Sequence, residues 1–524
     1  MLNAITILRR SKVLFGKIDV SNQSEMIFAG AVVLGLLLRL TAFLLGDIDP
    51  GGDGMWRLGY AIGWAQHPKW EGLSGVWPPV HWYFLGSLLL LWNEPILLAK
   101  TIGLVFGMGA IFAMRSAVRH LFGDLVAAVS ALLLSIYWTH IWLTSSYWVE
   151  IPFIFLVLSS INYSMRSLER RSAKDVFTSS VFLSLALLLR HEGHLLLGLF
   201  IIWYILNNRS WRLVLTFAAL PLCISAWMFI EPWINGHSYF EFISFVKSQK
   251  AGENLMQGVT LRDCLTQWTL MPATVPSIFV VIPGLYGLWK ARHMLRRDLF
   301  GWLFIAQVSF YLSMTLTSAW RPQLRYILIY FINLLPYAAF VWIQMIQRFP
   351  VRYSLTALLT ATILAQSSAW WVGRNNRYPL GWLPLRVPSS AQQSLDQWIL
   401  KVSKERLSGI RLVSLAAGSR VESWSLAHAF LVNGLPSNLF NKNLSSPFKC
   451  EEVYVADLPG IHQGDLPASM YEADMVLVDS NASFYQAIIR SLTARRRNVK
   501  AINIHPHIAV ILLSPDIQKE IVSN

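Results

Sequence analysis

Cysteine is scarce in this chain. Its three cysteines, Cys223, Cys264 and Cys450, are too few for a disulfide framework, and their separations match no metal-site spacing. Charge is scarce as well, at 14% of residues, against 54% hydrophobic and 13% aromatic residues. That balance excludes a soluble globular enzyme of 524 residues and defines a polytopic membrane protein. Acidic residues run short, 29 against 44 Lys and Arg, leaving a net charge of +15. In a soluble chain this would point to nucleic acid. In a membrane chain the basic excess belongs to the cytoplasmic loops, and no nucleic-acid partner is implied. Internal repeats and low-complexity tracts are absent. The N-terminus also lacks a short apolar region followed by a small-residue cleavage pattern, so its long apolar run reads as a retained anchor.

What the chain has instead is long apolar runs. A spanning helix needs about 20 predominantly apolar residues, and eleven segments qualify or come close: 24–45, 96–114, 125–143, 147–165, 176–190, 194–206, 213–230, 273–290, 299–317, 326–343 and 353–371. The run "VHWYFLGSLLLLW", 80–92, would reach only about 20 Å as a helix and reads as interfacial or re-entrant. With it excluded, the loops on one side carry 18 Lys and Arg and those opposite, before residue 372, carry 8. The positive-inside rule makes the first set, and the N-terminus, cytoplasmic. Residues 176–206 are long for one upright helix and short for two. Two short helices meeting at "RHEGH" keep the Arg-rich loops on the correct side; a single strongly tilted helix is the alternative.

After residue 372 hydropathy falls. Short apolar runs at 411–417, 451–458, 474–480, 500–504 and 508–514 alternate with helical stretches such as "SFYQAIIRSLTARR". The expected architecture is a transmembrane domain, 1–371, of about eleven helices with an external loop 46–95, followed by a soluble α/β domain, 372–524. An odd number of spans puts that domain outside the cytoplasm, in the plasma (inner) membrane setting.

With this topology the polar residues gather on the external face. They are Asp47, Asp49 and Asp53, then Glu150, the turn holding Arg190, His191, Glu192 and His194, the long 231–272 loop, and "SAWRPQLRY" with Arg321 and Arg325. Ionisable groups at membrane depth are expensive and face a cavity or a partner. In the first loop Trp56, Tyr60 and Trp64 recur at helical spacing, with Met55, Leu58 and Ile62 on an adjacent face, as in a helix lying at headgroup level. An aromatic belt with solvated aspartates has the same periodicity.

An external loop that opens with an acidic residue before an amphipathic helix resembles the C-type (GT-C) glycosyltransferases. The resemblance extends in order through "WPPVHWYFLG", "SSYWVEIPFIFLVL", "LRHEGHLLL" and "RPQLRYILIYFINLLPY", over roughly residues 24–345. It is strongest toward the protein mannosyltransferase and aminoarabinose transferase branch, although relatives often have Asp-Glu where this chain has Asp53-Gly54. The resemblance implies transfer of a sugar from a polyprenyl-phosphate donor to a lipid, glycan or protein acceptor on the non-cytoplasmic face. Asp53 matches the position of the general base that takes the proton of the acceptor hydroxyl or amine. The leaving group is a lipid phosphate, which needs positive charge rather than a general acid, and Arg binds phosphate bidentately. Arg321 and Arg325 are the first candidates, Arg190 the next, with Lys247 or Lys250 from the long loop also available. Asp49, His81, Glu150, His191, Glu192 and Tyr326 are further substrate-site candidates.

Other patterns are weaker. "HEGH" is not the histidine pair that one helix face presents to zinc. Asp47 and Asp49 form a D-x-D that could hold a divalent cation or simply open a solvated loop; no metal ligands are assigned. Arg39, inside the first span, is expected to snorkel outward. A transporter or flippase, or a ligase or polymerase, of lipid-linked saccharides remains the alternative. Paired symmetric halves, common in transporters, are lacking.

Overall fold

The computed structural model describes residues 20–45, 53–70, 78–145, 149–207, 210–234, 260–274, 278–318 and 324–346, and, toward the C-terminus, 390–404, 410–416, 448–454, 472–478, 485–495, 499–505 and 508–515, with a few single positions besides. The chain opens with α1 (Val20–Leu45), then α2 (Asp53–Gln66), α3 (Val80–Leu89), α4 (Pro95–Phe122), α5 (Asp124–Ser135), α6 (Trp138–Thr144) and α7 (Glu150–Arg170). It continues through α8 (Ala173–Leu187), α9 (Glu192–Asn207), α10 (Trp211–Ile234), α11 (Leu261–Thr274) and α12 (Ile278–Lys290) to α13 (Leu299–Ser318), α14 (Leu324–Phe331) and α15 (Leu335–Ile346).

Among the described residues six helical stretches are long and apolar enough to cross a bilayer: Asn22–Leu44, Pro95–Phe122, Glu150–Arg170, Trp211–Ile234, Leu299–Thr317 and Arg325–Met345. The pair α5 and α6, bent by 61°, makes a seventh if taken as one span. The protein is thus a multi-pass, mostly helical membrane protein. The apolar segments 176–190, 194–206 and 273–290 also fall on helices, α8, α9 and α12, but these have only 15, 16 and 13 residues. Segment 353–371 lies outside the described residues, apart from one position.

The awkward stretch 176–206 is two helices. A turn at Leu188–His191 separates α8 from α9, closed by Arg190 N–H on Ala186 O at 3.1 Å and Gly193 N–H on Arg190 O at 3.0 Å. A side chain at position 193 would stand 2.7 Å from Leu187 Cα, so the turn needs glycine there. Between α7 and α8 the apolar packing is interrupted by hydroxyls. Ser164 and Ser179 lie 2.7 Å apart, Ser160 and Ser179 2.9 Å, and Tyr204 of α9 donates to Ser164 at 3.0 Å. Small hydroxyl residues let helices approach closely and satisfy one another away from water.

Tyr60 and Trp64 share one side of α2 and pack on Trp82 and Tyr83 of α3, with ring centroids 5.2 and 5.6 Å apart. The short α3 offers an apolar face that one turn of α2 can cover. Arg39 does not snorkel; it is 1% exposed and reaches into the bundle, to the carbonyls of Leu134 and Ser135 and to His140. Carbonyls freed where α5 stops are partners that an outward-facing guanidinium would forgo.

In the C-terminal part each of the five apolar runs contains or overlaps a strand. After α16 (Ser390–Lys404) come β1 (Ile410–Ala416), β2 (Phe448–Tyr454), β3 (Met475–Val478), α17 (Tyr485–Arg495), β4 (Lys500–His505) and β5 (Ile508–Leu512). The sheet order is β2-β1-β3-β5-β4. β1 runs parallel to β2 and β3, while β5 is antiparallel to β3 and β4. β3 is buried along its whole length, as expected for a central strand.

Candidate active site

Three helices begin near one another, each with a charged residue in or before its first turn. Glu150 is the first residue of α7, Glu192 the first of α9, and Arg325 lies in the first turn of α14. A carboxylate at a helix N-terminus is favoured by the unpaired amides there. Arg190, in the turn before α9, ties the three together. Its Nη1 donates to Glu150 Oε1, its Nη2 to Glu192 Oε1 at 2.5 Å and its Nε to Glu192 Oε2 at 3.2 Å. All three nitrogens of this guanidinium therefore serve carboxylates, and the Glu192 contact is a fork. Arg325 Nε stands 3.9 Å from the same Glu150 Oε1, an ion-pair distance rather than a hydrogen bond.

Burial makes these contacts matter. Glu150 is 0% exposed, Arg190 7%. Glu150 Oε2 is buried and has no hydrogen-bond partner among the described residues. Tyr326 forms the wall: the guanidinium carbons of Arg190 and Arg325 lie 5.1 and 4.9 Å from its ring centroid. Tyr311 of α13 donates its hydroxyl to Glu192 Oε1 at 2.7 Å and packs 5.4 Å from the Tyr326 ring.

Of the residues singled out in the sequence, the fold thus brings together Glu150, Arg190, Glu192, Arg325 and Tyr326. Asp47, Asp49, Arg321, Lys247 and Lys250 lie outside the described residues; of Asp53 the backbone is described, as the first residue of α2. His191 stacks against His194 at 6.2 Å, and His194 Nδ1 lies 2.8 Å from Ser225 Oγ of α10, on the flank of the turn. His81 is buried on α3, where burial and then the Arg57 guanidinium hold it neutral, well below the usual histidine range. Tyr311 escaped the sequence reading. It sits inside an apolar helix with no charged neighbour in the chain, and its role follows only from α13 meeting α9. Among the described residues no three His, Cys, Asp or Glu side chains are placed to hold a metal ion.

The arrangement is a set of two guanidinium and two carboxylate groups, walled by tyrosines, where several apolar helices begin. This fold is shared with solved structures of membrane proteins. Among solved structures the chain is similar to ArnT from Cupriavidus metallidurans bound to undecaprenyl phosphate, with a TM-score of 0.55, 12% identity and coverage of 95% of this chain and 99% of that one. The apo state of ArnT gives a TM-score of 0.53 at 12% identity over the same shares. The apo oligosaccharyltransferase of Archaeoglobus fulgidus follows at a TM-score of 0.50 and 11% identity, covering 89% of this chain and 71% of that one. No protein-family model matches the sequence, and none of the curated proteins matches it.

Proposed function

We propose that the protein is an integral-membrane glycosyltransferase that moves a sugar from a polyprenyl-phosphate donor to an acceptor hydroxyl or amine. The observation that carries the reading is the Glu150–Arg190–Glu192–Arg325 constellation at the start of three helices in a GT-C fold. One neighbour in fold, ArnT, was crystallised with undecaprenyl phosphate, and a lipid phosphate is the class of leaving group that arginines at helix N-termini would hold.

In this reading Arg325 and Arg321 bind the donor phosphate. Arg190, engaged by both glutamates, fixes them in place and adds its charge to the phosphate's surroundings. Negative charge grows on the departing phosphate as the glycosidic bond breaks, and fixed guanidinium groups stabilise it without reorganising. Asp53 takes the acceptor proton as the new bond forms. Tyr326 offers an aromatic face between the two arginines, and Asp49, His81 and His191 remain candidates for contacts to sugar or acceptor. The transmembrane domain spans residues 1–371 with about eleven crossings. The N-terminus is cytoplasmic, and the 372–524 α/β domain lies on the extracytoplasmic side of the plasma membrane, where it helps place the acceptor.

The test is release of polyprenyl phosphate by the purified protein in lipid nanodiscs, supplied with a panel of polyprenyl-phosphate sugars and an acceptor-bearing membrane extract. Release from one donor, dependent on the extract, is the expected result. Absence of release across the panel, with a lipid-linked saccharide changing leaflet in proteoliposomes, would overturn the reading in favour of a transporter.

A further inference from the structure

The bend between α5 and α6 has no breaker in its own sequence. The residues "LLSIYWTHI", 133–141, contain neither proline nor glycine, yet the axis turns by 61°. Sharp kinks without such residues arise where a side chain enters the hydrogen-bond ladder. Here that side chain is Arg39 of α1. Its Nη1 donates to Ser135 O at 3.0 Å and, on its own helix, to Gly35 O at 3.0 Å. Its Nη2 donates to Leu134 O at 3.3 Å and lies 2.8 Å from His140 Nδ1 on the far side of the break. One guanidinium thus covers the carbonyl end of α5 and reaches α6. A cation is favoured at a helix C-terminus, and only the planar fork of Arg reaches several acceptors at once.

The packing leaves room for this group. A side chain at position 35 would come within 3.3 Å of Arg39 Nη1, and one at position 107 within 3.3 Å of Arg39 Nε and 2.3 Å of Thr144 Cγ2. One at position 103 would strike Thr144 O at 1.9 Å. Glycines on α1 and α4 therefore admit both the guanidinium and the end of α6. That end matters to the site: α6 packs against α14, which carries Arg325 and Tyr326, and the chain passes from Thr144 to Glu150 in six residues.

We propose that Arg39 is a positioning residue for the Glu150–Arg190–Arg325 cluster, its guanidinium seated in the α5–α6 break and holding α6 where Glu150 and Arg325 meet. The inference rests on the transferase reading only for its kinetic test; its structural test stands apart. Full-length wild type, Arg39→Gln and Arg39→Lys in nanodiscs are compared by amide hydrogen exchange and by donor titration. For Arg39→Gln, exchange across 136–150 and 324–331 is expected to rise on the order of tenfold or more, the scale of losing hydrogen bonds to a charged donor, while α10 and α12 keep theirs. The donor KM rises with it, and Arg39→Lys, a cation without the fork, falls between. Should Arg39→Gln not be recovered from membranes, Arg39→Lys carries the same comparison. Unchanged exchange in the two segments, or an even rise in every helix, would overturn the proposal. A wild type that transfers no sugar would overturn the transferase reading instead, and the exchange map would still decide for or against Arg39.

Discussion

Arg190 and Glu150, forty residues apart in the chain, form a buried ion pair in which Nη1 of the guanidinium donates to Oε1 of the carboxylate. A charge this far from water is tolerated only with a partner. Replacing Arg190 by Ala strips both Glu150 and Glu192 of the guanidinium they share and is expected to destabilise the protein by about 3–5 kcal/mol, the scale of leaving a buried charge without its partner. Denaturant unfolding of Glu150→Ala, Arg190→Ala and the double variant checks this. The double variant should lose clearly less than the sum of the two singles, because with both partners gone only Glu192 is left without the guanidinium it shared.

Arg325 stands 3.9 Å from Glu150 Oε1 and against the Tyr326 ring, and in the proposed reading it binds the donor phosphate. Arg325→Lys keeps the charge and loses the fork, and Arg325→Gln loses both. Donor titration is expected to show KM rising about tenfold for the glutamine variant, with lysine recovering part of it. Melting temperatures should fall less than for Arg190→Ala, because the hydrogen bonds of Arg190 to Glu150 and Glu192 are intact.

Tyr311→Phe removes the hydroxyl that donates to Glu192 Oε1 at 2.7 Å and keeps the ring against Tyr326. A hydrogen bond to a charged group contributes about 1.5–3 kcal/mol, so unfolding should show a loss in that range. The catalytic consequence is an altered donor KM, since Glu192 in turn orients Arg190.

The cluster was legible in the chain because its members are charged residues stranded among apolar ones, a pattern with few explanations. "RHEGH", the Glu150 start and "RPQLRY" each stand out against their surroundings. Tyr311 and Arg39 were not legible for the same reason in reverse. A tyrosine in an apolar run has no distinguishing period, and the direction of an arginine within a span depends on what the neighbouring helix leaves unpaired. The break at 136–137 is met by Arg39 from another helix, and with neither proline nor glycine in 133–141 the usual local signal is missing. Helix α11 was hidden in the 231–272 loop, where its 14 residues are too short and too polar to be read as a span. Strands β3 and β5 were visible because buried strands are continuous apolar runs.

Away from the site, at the start of α13, Asp298 gives the expected pH dependence. It accepts the Tyr337 hydroxyl and the Gly301 N–H, the latter at 3.3 Å. Burial pushes its carboxyl up from 3.8 to about 6, against the opposing pull of these hydrogen bonds. An acid whose folded pKa is raised contributes stability that is fully present below the unfolded value. That contribution is lost as pH rises toward the folded one, a window from 3.8 to about 6. Melting temperature should therefore fall across this window in wild type, and the fall should be shallower in Asp298→Asn. An identical slope in both proteins would assign the dependence to other groups.

The most direct test of the central claim is the rate of polyprenyl-phosphate release by wild type and Asp53→Asn, in nanodiscs with the active donor and its acceptor. Loss of a general base lowers turnover by about 10²–10⁴. The expected result is a fall in that range, with donor binding within about threefold of wild type, because Asp53 acts on the acceptor and the arginines still hold the phosphate. An Asp53→Asn protein that releases polyprenyl phosphate at the wild-type rate would contradict the assignment of the base.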